Sequence, residues 1–261
     1  MIYAHTDFFN YVNFFSNKKF LTLKKENISL FFNQMLRDLR NISKDNLIIP
    51  TYNYDFGKNK TFDVFKDKSQ VGSFSEFFRK KYIKTRTRVP FFSSCSLKNR
   101  KSFNINNSDV FGINSDFYSL VKERGNIINF GSRFAPTFII FIESNIPDGA
   151  IYRYKKRFIG VIKDKGLKKN ISFDYHVRPL NVDIKYDLKK IQSDLIKDDI
   201  LIKKKTASGF TYQQYNANSF FEHSSEKLKK DPLYFLDDST KKLIKKKEFL
   251  KKGRVKLEDF E

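Results

Sequence analysis

The 261-residue chain has no tryptophan, one cysteine and no long apolar run, and each of these scarcities closes off a class of protein. Cys95 alone can form neither an intramolecular disulfide nor a cysteine-based zinc cage, which fits a reducing compartment. A lone thiol of this kind is expected to be a packing residue. The longest apolar runs, 138–142 and 47–49, fall far short of the roughly 20 residues needed to span a bilayer. The amino terminus, MIYAHTDFF, carries no basic leader region. The expectation is a soluble, cytoplasmic protein with no membrane span. Neither H-E-x-x-H, C-x-x-C nor a paired-aspartate arrangement occurs, so no metal site is predicted. Internal repeats and Pro/Gly/Ser linkers are also missing. The economical division is one domain over 1–261, with a lysine-rich carboxy-terminal segment from about residue 240.

What the chain does have is apolar bulk and positive charge. Hydrophobic residues make up 40%, with 30 Phe, which is ample for one substantial core. The formal charge of +22 would ordinarily point to nucleic acid. Here Lys, Asn, Ile, Phe and Tyr are all in excess, the pattern that an AT-rich genome imposes through its codons. The basic residues are scattered in short runs such as 203–205 and 245–247. No RNP-type aromatic motif and no basic helix leading into heptads accompanies them. Nucleic acid is therefore not an expected partner; attraction of a coenzyme or an anionic sugar nucleotide is a milder use of the same field.

Periodicity predicts alternating helices and strands. His5-Thr6-Asp7 can cap a helix carrying Phe8, Val12 and Phe15. Over 28–39, apolar Ile28, Phe31, Phe32, Met35 and Leu39 share one helical face. Leu47-Ile48-Ile49 reads as a buried strand ending at Pro50. A further helix is predicted over 73–81 and another over 188–196, while NIINF (126–130), TFIIFIE (137–143) and 210–215 read as strands. The fold class expected is α/β: a single three-layer α/β/α domain around a mixed sheet.

Three motifs stand in fixed order between 69 and 117: S-x-x-G-x-x-x-E-x-x-R from Ser69 to Arg79, R-T-x-x-P-x-F-S from Arg86 to Ser93, and F-G-x-x-S-x-F from Phe111 to Phe117. In that order they resemble the aminoglycoside 3-N-acetyltransferase family, including members of bacterial surface-polysaccharide clusters. The likeness continues through AHTDF (4–8), LIIPTYNYDF (47–56), Tyr152-Arg153-Tyr154-Lys155 and Tyr175-His176-Val177-Arg178. Two family histidines are replaced. In T-x-x-H-x-x-E the aligned residues are Thr137, Ile140 and Glu143, and in R-S-x-H-P-x-x-S the histidine position is Val89.

The resemblance implies an acetyl-CoA-dependent N-acetyltransferase acting on an amino group of a sugar, whether a surface-polysaccharide precursor or an aminoglycoside-like acceptor. Acetyl transfer from a thioester needs an unprotonated amine and donors for the developing oxyanion. Candidate catalytic residues are Glu143, Thr137 and, from another element, His176. Glu143 reads either as a base raised by burial or as a solvated strand end or ion-pair partner. Candidate coenzyme-binding residues are Ser69, Gly72, Ser73, Pro90 and Ser93. For these the plain alternatives are a tight turn at Gly72, a helix cap at Ser73 and a turn with a self-satisfied hydroxyl at Pro90 and Ser93. Glu76 and Arg86 are candidate substrate-binding residues. Acetyl-CoA is the expected co-substrate, an amino sugar the expected partner, and assembly into a homo-oligomer is left open. The other reading is a family member that has lost acetyl transfer and serves as a sugar-binding or assembly protein.

Overall fold

The computed structural model describes residues 1–19, 27–99, 108–147, 149–179 and 183–246. The elements run β1 (Ile2–Thr6), α1 (Phe8–Lys19), α2 (Ile28–Ser43), β2 (Leu47–Pro50), α3 (Phe56–Asn59), β3 (Thr61–Asp63), α4 (Ser73–Lys81), β4 (Ser94–Ser96) and β5 (Ser108–Asp109). They continue with α5 (Asp116–Lys122), β6 (Asn126–Phe130), α6 (Thr137–Asn145), β7 (Tyr154–Asp164), β8 (Leu167–Val177), α7 (Leu188–Lys197), β9 (Leu201–Lys205), β10 (Thr211–Asn216), α8 (Ala217–Lys230) and α9 (Asp238–Lys246).

Six strands form the main sheet in the order β4-β2-β1-β6-β10-β9. β2, β1 and β6 are parallel, whereas β4, β10 and β9 pair antiparallel with their neighbours, so the sheet is mixed. Both faces are covered, which is why β2 is buried at all four positions and reads as a continuous apolar run. Side chains alternate across β1: Ile2 and Ala4 join one core with Tyr11, Phe31, Met35, Phe74 and Phe78 of α1, α2 and α4. Tyr3 faces the other core, with Phe117, Phe138, Ile142, Leu195 and Phe220 of α5 to α8. This is the three-layer arrangement that the alternation of elements implies. A second, four-stranded sheet, β3-β7-β8-β5, packs into the latter core through Phe62, Ile162, Ile171 and Phe173.

One element differs in kind from its expectation. TFIIFIE forms helix α6, not a strand. A short continuous apolar run fits a buried strand and a buried helix equally well, and periodicity does not separate them. Pro136 precedes the run, and its fixed φ suits a helix start. Phe138, Ile139, Phe141, Ile142 and Glu143 are all buried, so packing around the helix outweighs the β preference of its isoleucines. Of the lysine-rich end, residues up to 246 complete α9, and the remainder, including Lys247 of the 245–247 run, lies outside the described residues.

The β7–β8 hairpin is anchored by a close backbone approach. A methyl group at Gly160 would lie 2.2 Å from the Lys60 carbonyl oxygen and 2.6 Å from the Phe56 ring, and that same carbonyl accepts from Val161 N at 2.9 Å. Gly160→Ala is therefore expected to lower stability by about 1–3 kcal/mol through overpacking. A urea unfolding curve with an unchanged midpoint would show that the hairpin is not seated this tightly.

Candidate functional site

Strand β1 lies between β2 and β6, and the chain leaves it to reach β2 on one side and, later, β6 on the other. Ligands of open α/β sheets bind outside the carboxyl ends of the strands at such a switch point. Here those ends are Thr6, Pro50 and Phe130. Asp7 caps α1 by accepting from Asn10 N at 3.1 Å, and Asn10 Nδ2 donates to Gly131 O at 2.9 Å, which ties the ends of β1 and β6 together. Gly72 has φ of 111°, a conformation that favours glycine, and a side chain there would point to within 3.9 Å of the Thr6 carbonyl. The start of α4, with exposed Gly72 and Ser73, therefore faces the end of β1.

The loop before α4 is held by a clamp. Glu76 accepts from Ser69 N at 2.8 Å, and from Arg79 Nε and a second guanidinium nitrogen at 2.7 Å each. Arg79 also donates to Phe65 O at 2.8 Å. Burial works against the Glu76 charge, yet the Arg79 and Ser69 bonds hold its carboxyl below the usual range. Arg86, 1% exposed, donates to Ser93 Oγ (3.1 Å) and to the carbonyls of Val64 (3.0 Å), Asp67 (2.6 Å) and Thr51 (2.9 Å), and stacks over Phe62. Burial pushes its pKa down to about 10. Glu76 and Arg86, the substrate-binding candidates, thus both make internal bonds. Ser93 is equally enclosed, donating to Thr51 O at 2.8 Å, and Pro90 is buried beside it. Of the five coenzyme candidates, Ser69, Gly72 and Ser73 reach the surface and Pro90 and Ser93 do not.

On α6, Thr137, Ile140 and Glu143 recur at single-turn spacing. Thr137 and Ile140 are partly exposed, while Glu143 is wholly buried. Its carboxylate accepts from Arg153 Nε and Tyr152 Oη at 2.5 Å each and from Tyr186 Oη at 2.6 Å. Burial opposes the Arg153 charge, but Glu143 outweighs it and the guanidinium is held above its ordinary value. Arg153 also donates to the His176 carbonyl at 3.0 Å, so the structure brings Glu143 and the His176 backbone into one network. Glu143 thus follows the ion-pair alternative. Its lone pairs are committed to one guanidinium and two phenols.

Sequence reasoning passed over a second polar group, on the sheet face that carries α6. Tyr3 and Tyr52 hydroxyls lie 2.7 Å apart, and Tyr52 is within bonding reach of the Thr137 side chain. His5 stands two residues beyond Tyr3 on the same face, with ring centroids 5.4 Å apart, and its carbonyl accepts from Ser132 Oγ at 3.1 Å. His5 Nε2 is buried without a partner, and so is Thr6 Oγ1 on the other face. An unsatisfied buried group costs about 1–3 kcal/mol, so two in succession at one strand end require an explanation. The one available signal was AHTDF itself, which reads first as a helix start. A cavity of about 10 Å³ beside Tyr3 and Phe117 has room for roughly one water. A larger one, about 350 Å³, lies across the sheet between Phe15, Phe31, Gln34, Arg37 and Ser208.

Glu143→Gln leaves Arg153 buried without a counter-charge and is expected to cost about 3–5 kcal/mol in chemical unfolding. Unchanged stability would return Glu143 to the list of free bases. For His5, burial pushes the imidazole from 6.5 down to about 4. Between those values the unfolded chain binds a proton that the folded chain does not. The His5 contribution to stability is therefore full above about pH 6.5 and is lost as pH falls toward 4, with a slope of at most about 1.4 kcal/mol per pH unit. His5→Gln should flatten that part of the stability–pH curve, and an identical slope in the variant would count against a buried neutral imidazole.

No protein-family profile and no curated protein sequence matches the chain. Solved structures do. Aminoglycoside acetyltransferase AAC(3)-IVa as apoenzyme superposes with a TM-score of 0.59 at 15% identity, over 90% of this chain and 84% of that one. AAC-IIIb in a binary complex with CoASH gives 0.63 at 12% identity, over 88% and 89%. The YokD protein from Bacillus subtilis gives 0.58 at 10% identity, over 87% and 91%. The motif resemblance and the three-layer architecture converge: this chain has the fold of the aminoglycoside 3-N-acetyltransferases.

Proposed function

We propose that the chain is an acetyl-CoA-dependent N-acetyltransferase acting on an amino group of a sugar. The observation that carries this reading is the shared fold over 88% of the chain with a protein solved with CoASH, taken with the ordered motifs from Ser69 to Phe117. Gly72 and Ser73, at the start of a nine-residue helix facing the switch point, supply backbone donors suited to coenzyme phosphates, with Ser69 in the loop that leads into it. Aminoglycosides are polycations, and a formal charge of +22 suits them poorly. An anionic nucleotide- or lipid-linked amino sugar of surface-polysaccharide synthesis, handled in the cytoplasm, suits the field better.

A second reading has a specific observation behind it. Ile140 has no titratable atom, and Glu143 is bound to Arg153, so α6 offers no base. A chain that keeps the fold and binds a sugar without turnover would look like this.

The deciding experiment is calorimetry and thermal shift with coenzyme A, followed by acetyl transfer to a panel of amino sugars. Coenzyme at 100 times its dissociation constant should stabilise the fold by about 2.7 kcal/mol, and silence in both assays removes the transferase reading. Binding without turnover on any acceptor favours the second. Ile140→His separates the cases further: a gain of about tenfold or more would mark a degenerate site with its pocket intact.

A further inference from the structure

Acetylating an amine requires a group that takes its proton, and the described titratable residues near the switch point narrow quickly. Asp7 is engaged with Asn10. Asp116 accepts from Ser94 Oγ. Glu143 is paired with Arg153 and accepts from two tyrosines. His223 has an unpartnered Nε2, but its Nδ1 lies 3.1 Å from Asp198, and both sit where the parallel strands begin: α8 follows Asn216, which pairs with Asn126 at the start of β6. His176 belongs to β8 of the second sheet. His5 is the imidazole of the main sheet, one residue from the carboxyl end of β1, and its Nε2 is buried with no partner among the described residues.

Its neighbours across the sheet point the same way. His5 pairs with Asn129 of β6, and Asn129 with Gln213 of β10, so three polar side chains form a row on the face that carries α6. The bonds within this row are long. Asn129 Nδ2 reaches Gln213 Oε1 at 3.5 Å, Ala135 N reaches Asn129 Oδ1 at 3.4 Å, and Gln213 Nε2 reaches Gln192 Oε1 at 3.4 Å. Well-formed N–H···O bonds fall at about 2.7–3.2 Å, so these amides retain capacity that a hydroxyl-rich ligand could use. An imidazole acceptor at one end and under-used amides along the row match an amino sugar, with the amine toward His5 and hydroxyls toward Asn129 and Gln213.

Resting on the transferase reading, we propose that His5 is the catalytic base and that Asn129 and Gln213 hold the acceptor sugar beside it. The acceptor nitrogen attacks the thioester carbonyl carbon, the C–N bond forms, and the C–S bond breaks with its electron pair leaving on coenzyme sulfur. The amine proton goes to His5 Nε2, which later returns it to the thiolate or to solvent. Burial keeps the imidazole neutral at physiological pH, so the acceptor lone pair is in place before the reaction begins.

The test pairs a variant with a measurement on the unaltered protein. In His5→Gln, kcat is expected to fall about 10²–10⁴-fold, while coenzyme affinity by calorimetry stays within about threefold, and the acidic limb of the rate–pH profile disappears. The chain has only three histidines, so nitrogen-detected NMR resolves each ring. In wild-type protein with coenzyme A bound, adding glucosamine should move the His5 signal and leave His223 in place. Wild-type turnover that survives His5→Gln with the same pH profile overturns this assignment alone. Absence of both coenzyme binding and turnover in the wild type overturns the transferase reading with it. If the variant does not fold, the wild-type spectrum decides, and a His5 resonance indifferent to glucosamine sinks the proposal.

Discussion

A buried guanidinium bonded to no carboxylate among the described residues organises the loops around the switch point. Arg86 is 1% exposed, and its hydrogen bonds go to three carbonyls and one hydroxyl. Removing such a charge from water is costly, and the cost is met only where several backbone dipoles converge with good geometry. That requirement fixes Thr51 just beyond β2, the turn at 64–67, and Ser93 just before β4 relative to one another. The clamp of Glu76 on Ser69 and Arg79 extends the same constraint to the start of α4. The surface that faces the end of β1 is therefore set from beneath, by internal bonds.

Arg153 meets the same physical problem differently. Glu143 supplies a full counter-charge, and Tyr152 and Tyr186 complete the carboxylate's hydrogen bonding. The network links α6 to the segment before β7, the end of β8 and the segment before α7. A glutamate held this way lends rigidity to the helix whose first turn borders the switch point.

Much of this architecture is legible in the sequence, and the failures have identifiable causes. The helices at 28–43, 73–81 and 188–197 follow from apolar spacing, and β2, β6 and β10 follow from short apolar or aromatic runs between turn residues. The segment 137–145 was ambiguous because a helix buried on nearly all sides loses the periodicity that would reveal it. The order of Ser69, Gly72, Glu76, Arg79, Arg86 and Ser93 marks the motif resemblance, but residue type does not tell a charge that meets ligand from one that meets backbone. Arg86 and Glu143 show how complete that ambiguity is. His5, in turn, sits where a strand ends and a helix begins, and only the register with Asn129 and Gln213 gives it polar company.

The lysines at 203–205 acquire a meaning in the fold that their codon origin would not suggest. They occupy β9, one of the two edge strands of the main sheet, and all three are exposed. An open sheet edge offers unpaired backbone donors and acceptors to any other extended chain, and clustered positive charge on that edge repels a second copy before the ladder can form. Association by edge-to-edge strand pairing is thereby disfavoured at β9, which protects a phenylalanine-rich chain from one of the commonest routes to aggregation.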